Sequence, residues 1–414
     1  MVSTPSTDVP VRARPSTLLL VAIVSISPLT MNIYLPSLPG MVADFQASEA
    51  QVQLTLSVYL FAVAVIQLII GPLSDRYGRK PVLVVGLASF LAATLVCRFA
   101  PTIDILIIGR AFQAIGGCAG LVLGRAMVRE VSSRDGAASL LGYVLMGMAI
   151  SQIIGPTIGG VLDGVYGWQA SFDLLFFIGV VLLGLRLFVL RETHHERTTS
   201  LAVSALARSH AALLSEGRFW AYSMTGALAS SVFFAFVGGA PIISQRDFGL
   251  TPVTFGLYFA FIAAGYAAGN FLSGRYSTHI GTATMILYGN VLALAAVVLI
   301  AVLLGLGFWH PLSLFGPMFI VSLANGLTMP NSISGALSVR PDLAGTASGV
   351  SGSALVGMGA LSTVVVGWTL HQGVWPLIII MVGLAALALA AGLAANALEE
   401  RASVAAKPTP THLR

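Results

Sequence analysis

Apolar runs of about 20 residues recur from Leu18 almost to the C-terminus, each closed by Gly, Pro or charged residues. That is the length a helix needs to cross a hydrocarbon core. The punctuation predicts spans over 16–38, 50–72, 80–99, 103–125, 137–162 and 168–190. A second set follows over 219–243, 253–274, 281–305, 309–331, 344–368 and 372–396. The expected fold is an all-α polytopic membrane protein of twelve helices in two six-helix bundles. Its expected domains are a tail (1–15), a first bundle (16–190), a linker (191–218), a second bundle (219–398) and a second tail (399–414).

Composition agrees with lipid as the solvent. The chain is 57% hydrophobic and 9% charged, where a soluble domain carries roughly a quarter charged residues. The start superficially reads like a signal peptide, yet Pro28, Asn32 and Pro36 interrupt its apolar run and predict a retained first span.

The net charge of +5 does not form a basic patch interleaved with exposed aromatics, so no nucleic-acid partner is expected. Of the 21 Lys and Arg, only Arg98 and Arg246 fall on one predicted face, Arg110 lies within a span, and the rest share the other face. This asymmetry places both termini and the linker in the cytoplasm, with the chain in the inner membrane. His194 and His195 in the linker lack a third ligand at metal spacing, and Cys97 and Cys118 sit in apolar runs. No metal or cofactor is expected, and neither is an enzyme site, since no nucleophile with a base stands out.

An internal repeat supports the two bundles. FLSGRYSTHIG, from Phe271, echoes PLSDRYGRK, from Pro72, and Gly274 stands where the first copy has Asp75. Parallel repeats of this kind frame a central substrate site in many secondary transporters.

Between spans two and three, GPLSDRYGRKP places Asp75 and Arg79 four residues apart, at the spacing of a charge pair on one helix face. With Gly71, Arg76, Gly78 and Lys80, this loop resembles the hallmark of the major facilitator superfamily. The resemblance implies a gate in which Asp75 and Arg79 act with Glu130, at the end of span four. Span four carries Arg110, Gln113 and Gly117 along one face. An arginine that deep is costly unless it faces a cavity or a partner, and drug-exporting members of the superfamily carry one here. In span five, Gly155, Pro156, Gly159 and Gly160 resemble the signature of its antiporters. Span eight offers a facing stripe of Gly256, Ala260, Ala264 and Ala268, with Gly265 and Gly269 beside it.

MNIYLPSLP in span one, AGTASGVSGS opening span eleven and VYLFAVAVIQLIIGPLSD in span two narrow the resemblance to the Bcr/CflA-type exporters of bicyclomycin and chloramphenicol. It implies export of small amphipathic drugs or metabolites, driven by the proton gradient, by a chain that works as a monomer. An importer or metabolite exporter of the same fold is the alternative, and a polytopic membrane enzyme a more distant one. The sequence departs from that family at Asn32, where the family's aspartate would pair with Arg110 and carry the proton. Asp173 is the candidate carrier that remains. Around Arg110 the expected cavity residues are Asn32, Tyr34, Tyr59, Gln113, Phe233, Phe234, Phe236 and Tyr258. A charged Arg110 opposite a neutral Asn32 predicts a positive cavity that disfavours cations.

Overall fold

A computed structural model describes residues 16–131, 134–188 and 211–405 of the 414. Twelve helices among them are long and apolar enough to cross a membrane, and no strand occurs among the described residues. In the first half the helices are Thr17–Asn32 continued by Leu38–Asp44, Glu49–Tyr77, Arg79–Arg98, Ile103–Val131, Arg134–Tyr166 and Gln169–Phe188. The second half comprises Gly217–Phe248, Pro252–Ile280, Thr282–Gly305, Pro311–Val339, Ala344–Thr369 and Val374–Ala405. His194 and His195 lie outside the described residues.

Several helices outrun their apolar runs, because backbone hydrogen bonding continues after the side chains turn polar. Span two reaches Tyr77 and span ten Val339, beyond the predicted ends at 72 and 331. Span one differs more. It breaks after Asn32 into the short turn Leu35–Ser37, then resumes to Asp44. Pro36 and Pro39 lack the N–H groups that an unbroken helix would return to Asn32 and Leu35.

The repeat is visible in the backbone. Spans two and eight end at Gly78 and Gly281, with φ of 97° and 91°. Such values suit glycine and stop a helix sharply.

Spans one, seven and ten have the most buried apolar stretches. The halves meet through two pairs, span two against eleven and span five against eight. The end of the bundle at Tyr77, Gly217 and Gly281 is here termed the linker end; the opposite one, at Asp44, Phe248 and Gly373, is the far end.

Contact between the halves is tight at the far end. Ser57 and Thr363 share a hydrogen bond at 2.7 Å, and Thr157 Oγ1 donates to the Gly256 carbonyl at 3.1 Å. Arg246 of the second half reaches Glu49 of the first at 3.4 Å. Toward the linker end spans two and eleven part. A methyl group at Gly352 would still lie 3.4 Å from Gln67, whereas methyls at Gly71, Gly345 and Gly349 would meet nothing within 4 Å. The molecule is closed at its far end.

Candidate functional site

Two distinct groups of residues occupy the interior. The first surrounds Arg110, whose side chain is wholly buried. Its Nη1 donates to Gln113 Oε1 at 2.6 Å and to the Thr30 carbonyl at 3.3 Å, and its Nε donates to the Thr55 carbonyl at 3.5 Å. The guanidinium carbon stands 4.2 Å from the ring centre of Tyr34 and 4.4 Å from that of Tyr59. Each ring is fixed by its hydroxyl, Tyr34 to Thr55 and Tyr59 to Ser27, both at 3.2 Å. Gln113 in turn donates to Thr94 Oγ1 at 2.8 Å.

The partners that Arg110 makes here are therefore carbonyls, an amide and two aromatic faces. A desolvated cation–π contact contributes about 2 kcal/mol or more. Two of them are enough to offset the roughly 2.5–3.5 kcal/mol that insertion scales assign to a mid-membrane arginine. Asn32 is also wholly buried, but its Nδ2 turns back to the Pro28 carbonyl at 2.7 Å. Neither Asn32 Oδ1 nor Arg110 Nη2 has a hydrogen-bond partner among the described residues.

The second group lines a cavity of about 140 Å³ between the halves. Met31 of span one and Gln152 of span five come from the first half. From the second come Ser230, Phe233 and Phe234 of span seven, Phe259, Ala263 and Tyr266 of span eight, Ser322, Asn325 and Met329 of span ten, and Leu355 of span eleven. None of the described lining residues is acidic or basic.

Of the residues expected to line a cavity, Phe233 and Phe234 do so. Asn32, Tyr34, Tyr59, Arg110 and Gln113 pack instead into the core of the first half, because span one lies directly across span four. Tyr258 stacks on Phe315, with ring centres 4.7 Å apart, and Phe236 meets Phe315 edge-on at 5.8 Å. The positive cavity expected from Arg110 is corrected accordingly, since its charge is enclosed by neutral groups outside the lining. Gln152, Ser322 and Asn325 were not foreseen. The signal was present as amides and a hydroxyl deep inside apolar runs, where polar groups are costly.

At the linker end, Asp75 and Arg79 pair at 2.6 Å, and Arg79 also binds Ser74. Both contacts lie within the first half. Gly78 and Arg79 are buried beneath the turn, while Arg76 is exposed over the ring of Tyr77 and Lys80 is half-buried. Glu130 belongs to the helix Ile103–Val131, but its side chain lies outside the described residues.

Span five meets two neighbours through its glycines. Gly155 faces Asn32, and a methyl at Gly159 would overlap the Ile33 carbonyl, both contacts within the first half. Across the halves, Gly160 abuts the Pro252 carbonyl, and a methyl at Gly256 would lie 2.6 Å from the Pro156 carbonyl. The expected stripe on span eight meets span five at Gly256. Ala264 is exposed, and Gly265 and Gly269 face span ten at Phe319 and Leu323.

Asp173 is a poor candidate for a proton carrier in the cavity. Its carboxylate is 56% exposed and pairs with Arg98 Nε at 2.6 Å, tying spans six and three together at the far end.

Comparison with known proteins agrees with this architecture. The sequence profile of the Major Facilitator Superfamily matches residues 20–363. Multidrug resistance protein D of Escherichia coli K12 is 29% identical over 358 residues, covering 84% of this chain and 87% of that protein. The bicyclomycin resistance protein homolog of Haemophilus influenzae is 28% identical over 337 residues, or 81% and 84% of the two chains. Multidrug resistance protein MdtL of Escherichia coli O139:H28 is 30% identical over 338 residues, or 80% and 83%. Among solved structures, a bacterial homolog of the human lysosomal transporter Spinster, inward-facing and unoccupied, superposes with a TM-score of 0.72 at 16% identity. It covers 95% of this chain and 98% of that one.

Proposed function

Because the chain belongs to the major facilitator superfamily, we propose that it exports small amphipathic drugs or metabolites across the inner membrane by alternating access. The observation that carries this reading is the cavity shared by both halves, with the halves joined at the far end and parting toward the linker end. The names of the multidrug and bicyclomycin resistance relatives supply the substrate class. One chain completes the cavity, which supports function as a monomer.

We take the proton gradient as the energy source. Expression in a bacterium lacking its major pumps is expected to lower accumulation of a neutral drug such as chloramphenicol, and an uncoupler is expected to restore it. Accumulation unchanged by expression removes the export reading; export that survives the uncoupler removes the proton.

In this reading the linker end is cytoplasmic, so the described state opens inward. The charge asymmetry supports that orientation, with Arg98 and Arg246 the only Lys or Arg of the far face. Reporter fusions in the linker and at both termini are expected to report the cytoplasm. A periplasmic signal from the linker overturns the assignment and makes the same state outward-open.

A further inference from the structure

Within the cavity the polar atoms are concentrated on span ten. Ser322, Asn325 and Met329 follow one another at intervals of three and four, which puts them on one helix face. Ser322 is 1% exposed and Asn325 is 5% exposed. Ser322 Oγ and Asn325 Oδ1 have no hydrogen-bond partner among the described residues. The buried Ser332 hydroxyl of the same span, by contrast, donates to the Met329 carbonyl at 3.0 Å. Around the two unpaired atoms the walls are aromatic. Phe233 packs against Phe234 and Phe259, with ring centres 6.1 and 6.0 Å apart.

We propose that Ser322 and Asn325 form a hydrogen-bonding anchor in the cavity, selecting uncharged ligands that place a hydrogen-bond donor beside an aromatic or similarly compact apolar group. This rests on the export reading above for its role, though not for the binding itself. Asn325 Oδ1 can only accept, so the ligand must supply the proton; Ser322 Oγ can accept or donate. The about 140 Å³ available compares with an apolar cavity of about 150 Å³ that takes up benzene. In this state it therefore seats one ring-sized group and not a whole drug. A lining without acidic or basic side chains leaves a charged ligand group desolvated and unpaired, which disfavours cations and anions alike.

The test measures binding to the purified full chain in detergent by calorimetry. The probes are phenol, its methyl ether anisole and ethidium, applied to the unmodified protein, Asn325→Leu and Ser322→Ala. Phenol is expected to bind about tenfold tighter than its ether, the size of one hydrogen bond of about 1.4 kcal/mol. Ethidium is expected to bind weakest. In each variant the preference for phenol over the ether should shrink to within about threefold, while the ether itself binds as before.

Equal binding of the pair to the unmodified protein, or equal loss of both probes in the variants, overturns the anchor. So does tight ethidium binding, or no binding of either neutral probe to protein that elutes as a single folded species. The export reading fails separately, through unchanged drug accumulation in cells, whatever calorimetry shows.

Discussion

Gly256→Leu is expected to leave the protein inserted and abundant while cutting export by at least about tenfold, which a shift of 1.4 kcal/mol between two states is enough to cause. The cause is local. Gly256 faces the Pro156 carbonyl and Thr157 Cα, at 2.6 and 2.8 Å from a methyl placed there, and its own carbonyl accepts from Thr157. These atoms belong to opposite halves. A leucine cannot enter while the far end is closed, yet it meets no obstacle once the halves separate, so it penalises one state of the cycle alone.

The shift can be seen directly. Thr363 is buried between the halves where it bonds Ser57, and the native Cys97 and Cys118 are both buried. A Thr363→Cys reporter should resist a membrane-impermeant thiol reagent applied from the far side, and should become reactive when Gly256→Leu is added. Lost export without increased labelling means that the substitution damaged folding instead. Gly159→Val provides the contrast. Its side chain would strike the Ile33 carbonyl inside one half, which moves as a unit, so both states suffer and membrane abundance falls.

The twelve spans were legible because the lipid requirement acts on every residue of a span. The charge pair was legible at Asp75 and Arg79 because a spacing of four on a helix fixes which side chains meet. Arg110 stood out by its depth, and Gly155, Gly159 and Gly160 by their clustering. What a single span cannot show is which neighbour each face meets. Arg110 and Phe233 both lie deep in the membrane, yet one packs against span one and the other faces the space between halves. That distinction depends on the break in span one at Asn32 and on the crossing of helices remote in sequence. Gln152 and Asn325 are ordinary residues until the cavity gathers them. The same holds for Gln53, whose buried amide sits against Gly238 and Gly367 of the opposite half with both polar atoms unpartnered.

The Arg110 cluster permits the most discriminating test of how a charge is kept in the membrane without a carboxylate beside it. If aromatic faces hold the guanidinium, Tyr34→Phe and Tyr59→Phe should keep export within about tenfold, since a neutral hydrogen bond is worth about 0.5–1.5 kcal/mol. Tyr34→Leu and Tyr59→Leu remove the ring, and a desolvated contact of about 2 kcal/mol corresponds to a loss of roughly thirtyfold. Arg110→Lys should be as damaging as either leucine variant. An ammonium is a compact, strongly hydrated point charge, and it cannot reach Gln113, Thr30 and Thr55 with a planar set of donors. Thermal stability of the purified variants should follow the same order, because the contacts belong to the folded first half and not to the drug. The ratio of neutral to cationic drug exported should stay constant across the phenylalanine variants, since neither ring lines the cavity. Phenylalanine variants as damaged as the leucine ones would mean that the bonds to Ser27 and Thr55 hold the cluster. An altered drug ratio would mean that Arg110 is exposed to substrate in another state of the cycle, when span one and the cavity wall it contributes at Met31 have moved.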